Sequence, residues 1–289
     1  MHTLQVRMPR PELRPYVRAF AQRKISAMSP AVVEPTTAHL EQHLTFDFGT
    51  PVEVRYPDKQ IEVIDATSAA GAQTHFPSHL HLRAGGESFG VFFQPTGLSI
   101  LFEIPICELT NRLGDAAAII GRSVRMLWNR LGECSSFEDR ALIAEEFLMY
   151  RAGRSHARCA IVAAADYIFC HHGAVNIANL AKRGSTGLRQ FEREFRQEMG
   201  TTPKTFARIA RFQAALDAKV AAPQRTWLDI AHAFGYYDQM HMIHDFEALG
   251  SDSPARLLYH LGDSRPPALA TNEQATTAFL LGSAMPTQL

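Results

Sequence analysis

The sequence has no net charge and no long apolar run. Its 289 residues include 29 Lys and Arg and 29 Asp and Glu, and neutrality by itself counts against a polyanionic partner such as nucleic acid. Every apolar run is shorter than the ~20 residues that a membrane helix needs, and Pro9 and Pro11 interrupt the N-terminus where a secretion signal would have its apolar stretch. The sequence therefore predicts a cytoplasmic protein with no membrane partner.

Cysteine is scarce and catalytic motifs are missing. The four cysteines, Cys107, Cys134, Cys159 and Cys170, are scattered without the short spacing of metal ligands, which is typical of reduced thiols. Nothing matches a nucleophile elbow, a phosphate-binding loop or a dinucleotide fingerprint. We therefore expect no catalytic site, no cofactor and no bound metal.

The first hundred residues have the pattern of a small β-fold. Short β-branched or aromatic segments at 44–48, 52–56, 61–64 and 89–93 alternate with turns rich in Gly and Pro. Strands this short and this closely spaced predict a sandwich or barrel. From about Cys107, apolar residues recur at helical spacing.

The chain divides into two parts of opposite charge. The polar joint at 151–156 predicts a β-rich effector or dimerisation domain with a helical C-terminal portion at 1–150, and an all-α domain at 157–262. Residues 263–289, rich in Pro, Ala, Thr and Ser, are expected to be a disordered tail. Residues 1–150 hold 14 basic and 17 acidic residues, and residues 151–289 hold 15 basic and 12 acidic residues. The zero net charge therefore arises because a slightly acidic half and a slightly basic half cancel. The predicted fold class is α+β with two domains.

Two segments of the C-terminal third share one arrangement. Residues 176–195 and 228–246 each begin with a short apolar helix, continue through a tight turn containing glycine and end in a second helix with an aromatic stripe. This is the arrangement of a helix-turn-helix unit, whose second helix is free to enter the major groove of DNA.

The second helix of the first unit separates apolar from basic side chains. Projected at about 100° per residue, Phe191 and Phe195 lie on one side, and Arg189, Arg193 and Arg196 lie on the other. A row of guanidinium groups suits guanine edges and phosphates. The alternative is a solvated face on which the arginines pair with acidic residues of the same helix.

The second helix of the second unit offers little charge. Met242, Phe246 and Leu249 form its apolar side, and Met240 and His244 lie opposite. Neutral or weakly cationic side chains make a poor DNA-binding face on chemistry alone. Another interpretation is therefore an architectural or interaction protein, in which the second unit packs within the domain and does not contact DNA.

Landmarks run in a fixed order through both units. They are Leu180, Ala181, Phe191, Glu192, Arg193, Phe195, Gly200, Pro203, Arg211, Leu216, Asp229, Ala231, Gly235, Tyr236, Asp238, Gln239, His241, Phe246, Ser253 and Pro254. In these residues the stretch 177–259 closely resembles the DNA-binding domain of the AraC/XylS family of bacterial transcription regulators. The resemblance implies two recognition helices, held by a linking helix, that enter successive major grooves ~34 Å apart.

The resemblance also implies which side chains contact DNA. Carried over position by position, they are Arg189, Glu192 and Arg193 in the first recognition helix and Gln239, Met240, His241 and His244 in the second. The helical projection adds Arg196 to this set.

Three positions depart from the family's pattern. Gly187 stands where a capping serine is usual, so we expect Ser185 or Thr186 to cap the first recognition helix. His244 replaces a frequent arginine, which predicts weak or pH-dependent contact by the second helix. Ser251 stands where glycine is usual, and we expect Gly250 to supply that turn.

The N-terminal half resembles, more loosely, the sensor domains of one AraC subgroup. The matching segments are 11–17, 91–97 and 108–113. The resemblance implies a cupin-like β-fold followed by helices, with a small-molecule effector held among mostly apolar walls. The amphipathic helical region at 107–150 allows a homodimer.

A histidine cluster supplies the alternative function. His75, His79 and His81 are of a type that suits Zn, Fe or Ni, and His79 and His81 share one face if their segment is a strand. Pro77 interrupts the segment, and no acidic residue lies within it. The alternative is a metal-dependent cupin-like enzyme, or a small-molecule-binding protein, that uses these histidines.

The leading interpretation is a sequence-specific DNA-binding transcription regulator, an activator and not an enzyme. Its expected partners are double-stranded DNA, RNA polymerase and a small-molecule effector, at the nucleoid of a bacterial cytoplasm. A weakly basic DNA-binding half gives modest phosphate attraction, so we expect Arg189 and Arg193 to provide much of the binding energy.

Overall fold

The computed structural model describes residues 2–28, 31–35, 37–56, 58–64, 66–75, 79–154 and 160–263. The expected tail beyond residue 263 and part of the joint at 151–156 lie outside the described residues. The strands are β1 His2–Arg7, β2 Val17–Ile25, β3 Val32–Pro35, β4 Gln42–Asp47, β5 Glu53–Arg55, β6 Ile61–Val63, β7 Thr67–Ala70, β8 His79–Leu82, β9 Glu87–Phe93 and β10 Leu113–Asp115. The helices are α1 Gly97–Phe102, α2 Ile106–Leu109, α3 Ala116–Ile120, α4 Arg122–Gly132, α5 Phe137–Ala152, α6 Ala160–Cys170, α7 Ile177–Arg183, α8 Leu188–Met199, α9 Pro203–Ala221, α10 Trp227–Ala233, α11 Gln239–Gly250 and α12 Pro254–Asp263.

The larger sheet is antiparallel and has six strands in the order β1-β2-β9-β4-β7-β10. Because side chains alternate along a strand, Phe20, Leu44 and Phe89 point to one face, where they are buried with residues of α4 and α5. On the same face, Gln22 accepts a hydrogen bond of 2.7 Å from Arg140 of α5. The core of the N-terminal domain therefore lies between this sheet and its helices.

The smaller sheet has the order β3-β8-β5-β6. Its Leu82 packs with Val52 and with Ile25 of β2, so it covers the other face of the larger sheet. Within the described residues the two sheets form a sandwich-like pair and do not close into a barrel. The predicted α+β class, a β-rich domain followed by a helical one, is confirmed.

Strands β1, β2, β3, β7 and β10 lie outside the segments expected to be strands, and two of them show the reason. Leu113–Asp115 falls in the region of helical spacing, yet it is strand β10 because it pairs with the free edge of β7. Asp115 ends this strand and caps α3, since its Oδ1 accepts from Ala117 N at 2.9 Å. Strand β2, with nine residues, was not among the expected strands, because Gln22 and Lys24 weaken the apolar alternation on its helix-facing side.

The C-terminal domain is organised around α9. This helix begins at Pro203 after Thr202, whose Oγ1 accepts from Thr205 N at 3.1 Å and so satisfies one of the free N–H groups of a helix start. Phe206 and Phe212 of α9 are buried against rings of the two helix-turn-helix units. None of the described helices has the length and apolar character needed to cross a membrane.

The two domains share one hydrophobic cluster. Ala38, Leu40, Ala72 and Ile106 of the N-terminal domain are buried together with core residues of α6 to α12. The helical domain therefore completes its core with residues from the β-rich domain.

A buried polar cluster lies at this domain interface. Arg18 of β2 forms an ion pair with Glu41, and Glu41 also accepts a hydrogen bond of 2.6 Å from Gln213 of α9. Asp217, one turn further along α9, is 1% exposed, and neither of its carboxylate oxygens has a hydrogen-bond partner among the described residues. Burial raises the pKa of Asp217 well above its usual value, although the nearby charge of Arg18 acts in the opposite direction.

Candidate nucleic-acid interface

Helices α7 and α8 form the first helix-turn-helix unit. Asn176 caps α7, because its side-chain oxygen accepts from Asn179 N at 2.9 Å. In α8, Phe191, Phe195 and Met199 are buried, and the Phe195 ring lies 5.5 Å from that of Phe206, centroid to centroid. The apolar side found by projection is therefore the side that packs on α9.

The opposite side of α8 is open to solvent. The structure exposes all four of the side chains predicted there, Arg189, Glu192, Arg193 and Arg196. Gln190 accepts a hydrogen bond from Arg193 Nη2 and donates one to Glu194. In the described ranges, none of the three arginines pairs with a carboxylate, so the paired-charge alternative does not describe this helix.

Helices α10 and α11 form the second unit. Thr226 caps α10 by accepting from Asp229 N at 3.1 Å, and Asp238 caps α11 by accepting from His241 N at 2.7 Å. Along α11, Met242 and Phe246 are buried. The Phe246 ring lies 4.8 Å from that of Phe212, centroid to centroid, so this unit also packs on α9.

The exposed side of α11 carries no Lys or Arg and includes one carboxylate, Glu247, whose Oε2 lies 3.8 Å from His244 Nδ1. The structure exposes its four predicted contact residues, Gln239, Met240, His241 and His244. Tyr237, which sequence reasoning did not single out, lies just before α11 and is 88% exposed. An aromatic residue in a helix-turn-helix turn is the signal that would have found it.

The two units differ in charge. Lys182 and Arg183 end α7, and they add to the three arginines of α8. Residues 238–250 contain no Lys or Arg and include Asp238 and Glu247. The cations available for phosphate contact are thus concentrated on the first unit.

Two arginines of α9 connect the linking helix to the second unit. Arg208 donates to Asp245 Oδ1 from Nε at 3.0 Å and from Nη2 at 2.6 Å, and Asp245 of α11 is buried. Arg211 lies over the ring of Tyr236, 5.3 Å from its centroid, and donates to the carbonyl of Gly173 at 3.1 Å. These contacts set how α11 is turned relative to α9.

Two expectations about turns are wrong. Gly187 is the N-cap of α8 and makes no side-chain cap; Ser185 takes a positive φ of 55°, and Thr186 Oγ1 donates to the carbonyl of Ala181 at 3.3 Å. After α11, Gly250 is helical and Ser251 itself takes the left-handed turn, with φ 60°. In each turn a serine, and not the neighbouring glycine, takes the left-handed backbone conformation.

The histidine cluster does not form a metal site in the part of the chain that the structure describes. His79 and His81 share the outer face of β8, because they alternate with Leu80 and Leu82, which pack inside. His75 is exposed. No group of three or more His, Cys, Asp and Glu side chains in the described ranges could hold a metal ion.

The inner face of the larger sheet, towards the smaller sheet, carries mostly small and polar side chains together with one large ring, Phe92. Its buried residues include Ala19, Ala21, Arg23, Thr45, Asp47, Ser68, Ala70, Ser88, Gly90 and Phe92, and the half-buried His43 lies 5.9 Å from the Phe92 ring, centroid to centroid. The hydroxyl oxygens of Thr45 and Ser68 lie 2.9 Å apart. Burial, together with the neighbouring His39, lowers the pKa of His43 to about 3, so its ring is neutral at physiological pH. Small residues on strands carry no sequence signal, so this face was not predicted.

A family model matches a segment in each half of the chain. Residues 180–258 match a family model described as a helix-turn-helix domain, and residues 5–115 match one described as a domain of unknown function (DUF6597). No curated protein matches the sequence.

Solved structures resemble this chain at low sequence identity. Apo ToxT K231A from Vibrio cholerae strain SCE256 is 8% identical, with a TM-score of 0.51, over 88% of this chain and 100% of that chain. Unsaturated fatty acid bound wild-type ToxT from the same strain is 8% identical, with a TM-score of 0.46, over 90% and 95%. The AraC-like transcriptional activator CuxR is 12% identical, with a TM-score of 0.30, over 73% and 86%.

The matched region at 180–258 covers both recognition helices and the whole of α9. Two helix-turn-helix units packed on one linking helix are the arrangement that the sequence resemblance implied, and a β-rich domain precedes them as in the two-domain ToxT fold. The domain at 180–258 is therefore a helix-turn-helix domain of the AraC type, and the chain is a DNA-binding transcription regulator.

Proposed function

We propose that this regulator is an activator that contacts two successive major grooves with α8 and α11. One observation carries the proposal: each recognition helix has its apolar side buried against α9 and its polar side exposed. Two such helices on one rigid helix suit a site whose halves lie one helical turn, ~34 Å, apart.

On α8 the proposed contacts are ionic and directional. Arg189 and Arg193 bind guanine edges, because a guanidinium presents paired N–H donors to the two acceptors of guanine. Glu192 accepts from a cytosine amino group, and Arg196 contacts a backbone phosphate. This half supplies most of the affinity, since it holds the exposed cations.

On α11 the proposed contacts are neutral. Gln239 suits adenine, and Met240 suits the methyl group of thymine. His241 and His244 complete this face as hydrogen-bonding groups. The second half-site is therefore expected to be rich in A·T pairs.

Selection of bound DNA from a random pool tests the proposal. The full-length protein should enrich one site, and hydroxyl-radical footprinting of that site should show two protected stretches about 10 base pairs apart. Protection of one groove alone would favour an architectural second unit, and a failure to enrich any sequence would contradict sequence-specific binding.

The inner face of the larger sheet is the proposed effector site. Arg23, His43 and the hydroxyls of Thr45 and Ser68 place a few polar groups among buried small residues, which is the composition of a small-molecule pocket. Metabolites that raise the melting temperature of the protein should also change its affinity for the selected DNA. Ser68→Leu, which adds bulk to this face, should abolish that response, whereas Ala27→Leu on an exposed turn should not.

The outer sides of α4 and α5 are the proposed dimer surface. Arg122, Arg125 and Arg130 are exposed on α4, and Glu138, Asp139 and Glu146 are exposed on α5. Met126 of α4 and Tyr150 of α5 add exposed apolar surface, at 58% and 63%, and Arg130 pairs with Glu146 of the same copy at 3.5 Å. A two-fold axis beside these apolar side chains would let the basic residues of α4 in one copy pair with the acidic residues of α5 in the other.

Sedimentation tests the dimer directly. Met126→Glu should convert a dimer into a monomer, whereas Met28→Glu, at a residue 93% exposed elsewhere on the domain, should not. A monomer for both the wild type and the control would contradict this part of the proposal.

Activation is the expected outcome at a promoter. With the selected site placed upstream of a reporter, the protein should raise transcription by bacterial RNA polymerase at the nucleoid. A fall in transcription would identify a repressor and would leave the DNA-binding proposal intact.

A further inference from the structure

The C-terminal ends of both recognition helices contact the N-terminal domain. The Thr110 hydroxyl lies 3.2 Å from the carbonyl oxygen of Met199, the last residue of α8, and 3.0 Å from that of Ile106. Ala38 N donates to the carbonyl of Leu249, near the end of α11, at 2.8 Å. The last carbonyls of a helix have no partner within the helix. Here the Ala38 N–H supplies a donor for α11, and the single hydroxyl proton of Thr110 is shared between the carbonyls of Met199 and Ile106.

The contact at the end of α8 is tight. Gly200 follows α8 with φ 68°, and a Cβ atom built on it would lie 2.6 Å from Thr110 Cβ and 2.9 Å from Cys107 Cα. Real Cβ atoms do not approach so closely, so the backbone of α8 ends directly against the segment at 106–111. Such close packing fixes the position of the helix end, because a close-packed interface cannot absorb even the volume of one added methylene group.

A third contact fixes the linking helix. Gln213 Oε1 accepts from Leu40 N at 3.1 Å, and its Nε2 donates to Glu41. All of these contacts come from the segments at 37–41 and 106–111. The two segments are joined through the backbone, because Gln73 pairs with His39 and the carbonyl of Ala72 accepts from Asn111 N at 2.8 Å.

We propose that the N-terminal domain sets the separation and relative orientation of the two recognition helices, with Thr110 and Gln213 as positioning residues. The inference rests on the proposed reading of two successive grooves. Ala38 contacts the end of α11 and Thr110 contacts the end of α8. Gln213 attaches α9, the helix between them, to the segment at 37–41. A change in the N-terminal domain would therefore alter the spacing between half-sites that the regulator accepts.

The dependence of affinity on half-site spacing is the test. Binding of the full-length protein is measured on the selected site and on versions with one base pair added or removed between its halves. Each change rotates one half by about 34° and moves it by about 3.4 Å. The wild type should lose affinity at least about tenfold, the effect of one misplaced base contact.

The double variant Thr110→Val/Gln213→Leu should accept altered spacing. We expect weaker binding to the original site and a spacing penalty below about threefold, because one half can then move without losing its base contact. Thr67→Val is the matched control: Thr67 and Thr110 are 5% and 8% exposed, but Thr67 donates its hydrogen bond to Asp115 within the N-terminal domain. Its spacing penalty should equal that of the wild type.

The result of this experiment distinguishes failure of the positioning role from failure of the proposed two-groove binding. A spacing penalty in the double variant as steep as in the wild type, with two grooves still protected, would show that α9 alone sets the spacing and would overturn the inference. If the double variant does not fold, Thr110→Val alone gives the same readout, and Thr110→Ser should restore the wild-type penalty. A wild-type footprint over one groove would instead overturn the proposed function, and this inference with it.

Discussion

The side chains of Gln213 and Glu41, 172 positions apart, share a hydrogen bond of 2.6 Å at the interface between the two domains. The other half of the Gln213 amide accepts from the backbone N–H of Leu40 at 3.1 Å. Both bonds are buried, and a buried donor or acceptor left unpaired costs about 1–3 kcal/mol. The neutral side-chain amide of Gln213 thus attaches the linking helix to the N-terminal domain, because it hydrogen-bonds both the Glu41 carboxylate and the main-chain N–H of Leu40.

Arg193→Ala should weaken binding to the selected DNA site. Loss of one bidentate base contact removes at least about 1 kcal/mol of specific binding, or roughly a fivefold rise in Kd. A gel-shift titration measures it, with Arg14→Ala on the exposed surface of the N-terminal domain as control. Equal affinity of the wild type and Arg193→Ala would contradict the assignment.

The salt dependence of DNA binding should be shallow. If Lys182 and Arg183 at the end of α7, together with Arg196 of α8, are the main phosphate contacts, the slope of log K against log salt concentration is about −3 for each bound domain. Arg196→Ala should reduce this slope by about 0.9, and Gln197→Ala should leave it unchanged. A slope near −8 would show that other cations contact the backbone.

Gly200→Ala should destabilise the protein more than Gly235→Ala. Both glycines have a left-handed backbone, with φ of 68° and 70°, so both substitutions incur a left-handed strain of roughly 1–2 kcal/mol. A Cβ at Gly235 meets only Ala174 Cβ at 3.8 Å, whereas at Gly200 it meets Thr110 and Cys107. The difference in free energy of unfolding by urea should be about 1–3 kcal/mol; equal losses would mean that the contact with Thr110 is loose.

Asp217→Asn should change how stability depends on pH. The pKa of Asp217 is raised in the folded protein from its ordinary value of 3.8, so the folded state binds more protons than the unfolded state above that pH. Its contribution to stability is therefore present at low pH and is lost as pH rises from about 4 towards the raised pKa, by up to about 1.4 kcal/mol per pH unit.

Urea unfolding across pH measures this contribution as a difference between the two proteins. Asp47, with a pKa raised to about 6, and His39, with a pKa lowered to about 4, titrate in both proteins and so largely cancel. The variant should gain stability relative to the wild type as pH rises. Parallel curves would show that Asp217 stays charged in the folded state.

The recognition helices were predictable because their signal is local. The spacing of Phe191 and Phe195 identifies the buried side of α8, and Met242 and Phe246 identify that of α11. The exposed positions of Arg193 and Met240 follow from the same periodicity. Strand β2 and the segment at 113–115 were missed because pairing with distant strands overrides their own weak patterns.

The domain interface was not predictable from the sequence. Arg18, Glu41, Gln213 and Asp217 come together only after both domains fold, and a polar residue on a helix such as α9 is normally solvated. Thr110 and Gly200 likewise have no local pattern that joins them. Contacts between distant segments depend on tertiary structure, so no local sequence pattern predicts this interface.

The shared hydrophobic cluster limits how this protein can be recombined. Ala38, Leu40, Ala72 and Ile106 belong to the core of the helical domain although they precede it by many residues. A chimaera that joins residues 160–263 to a foreign sensor would leave that core uncovered, and exposed apolar surface of this kind promotes aggregation. Successful domain exchange would have to transfer these four side chains along with the DNA-binding helices.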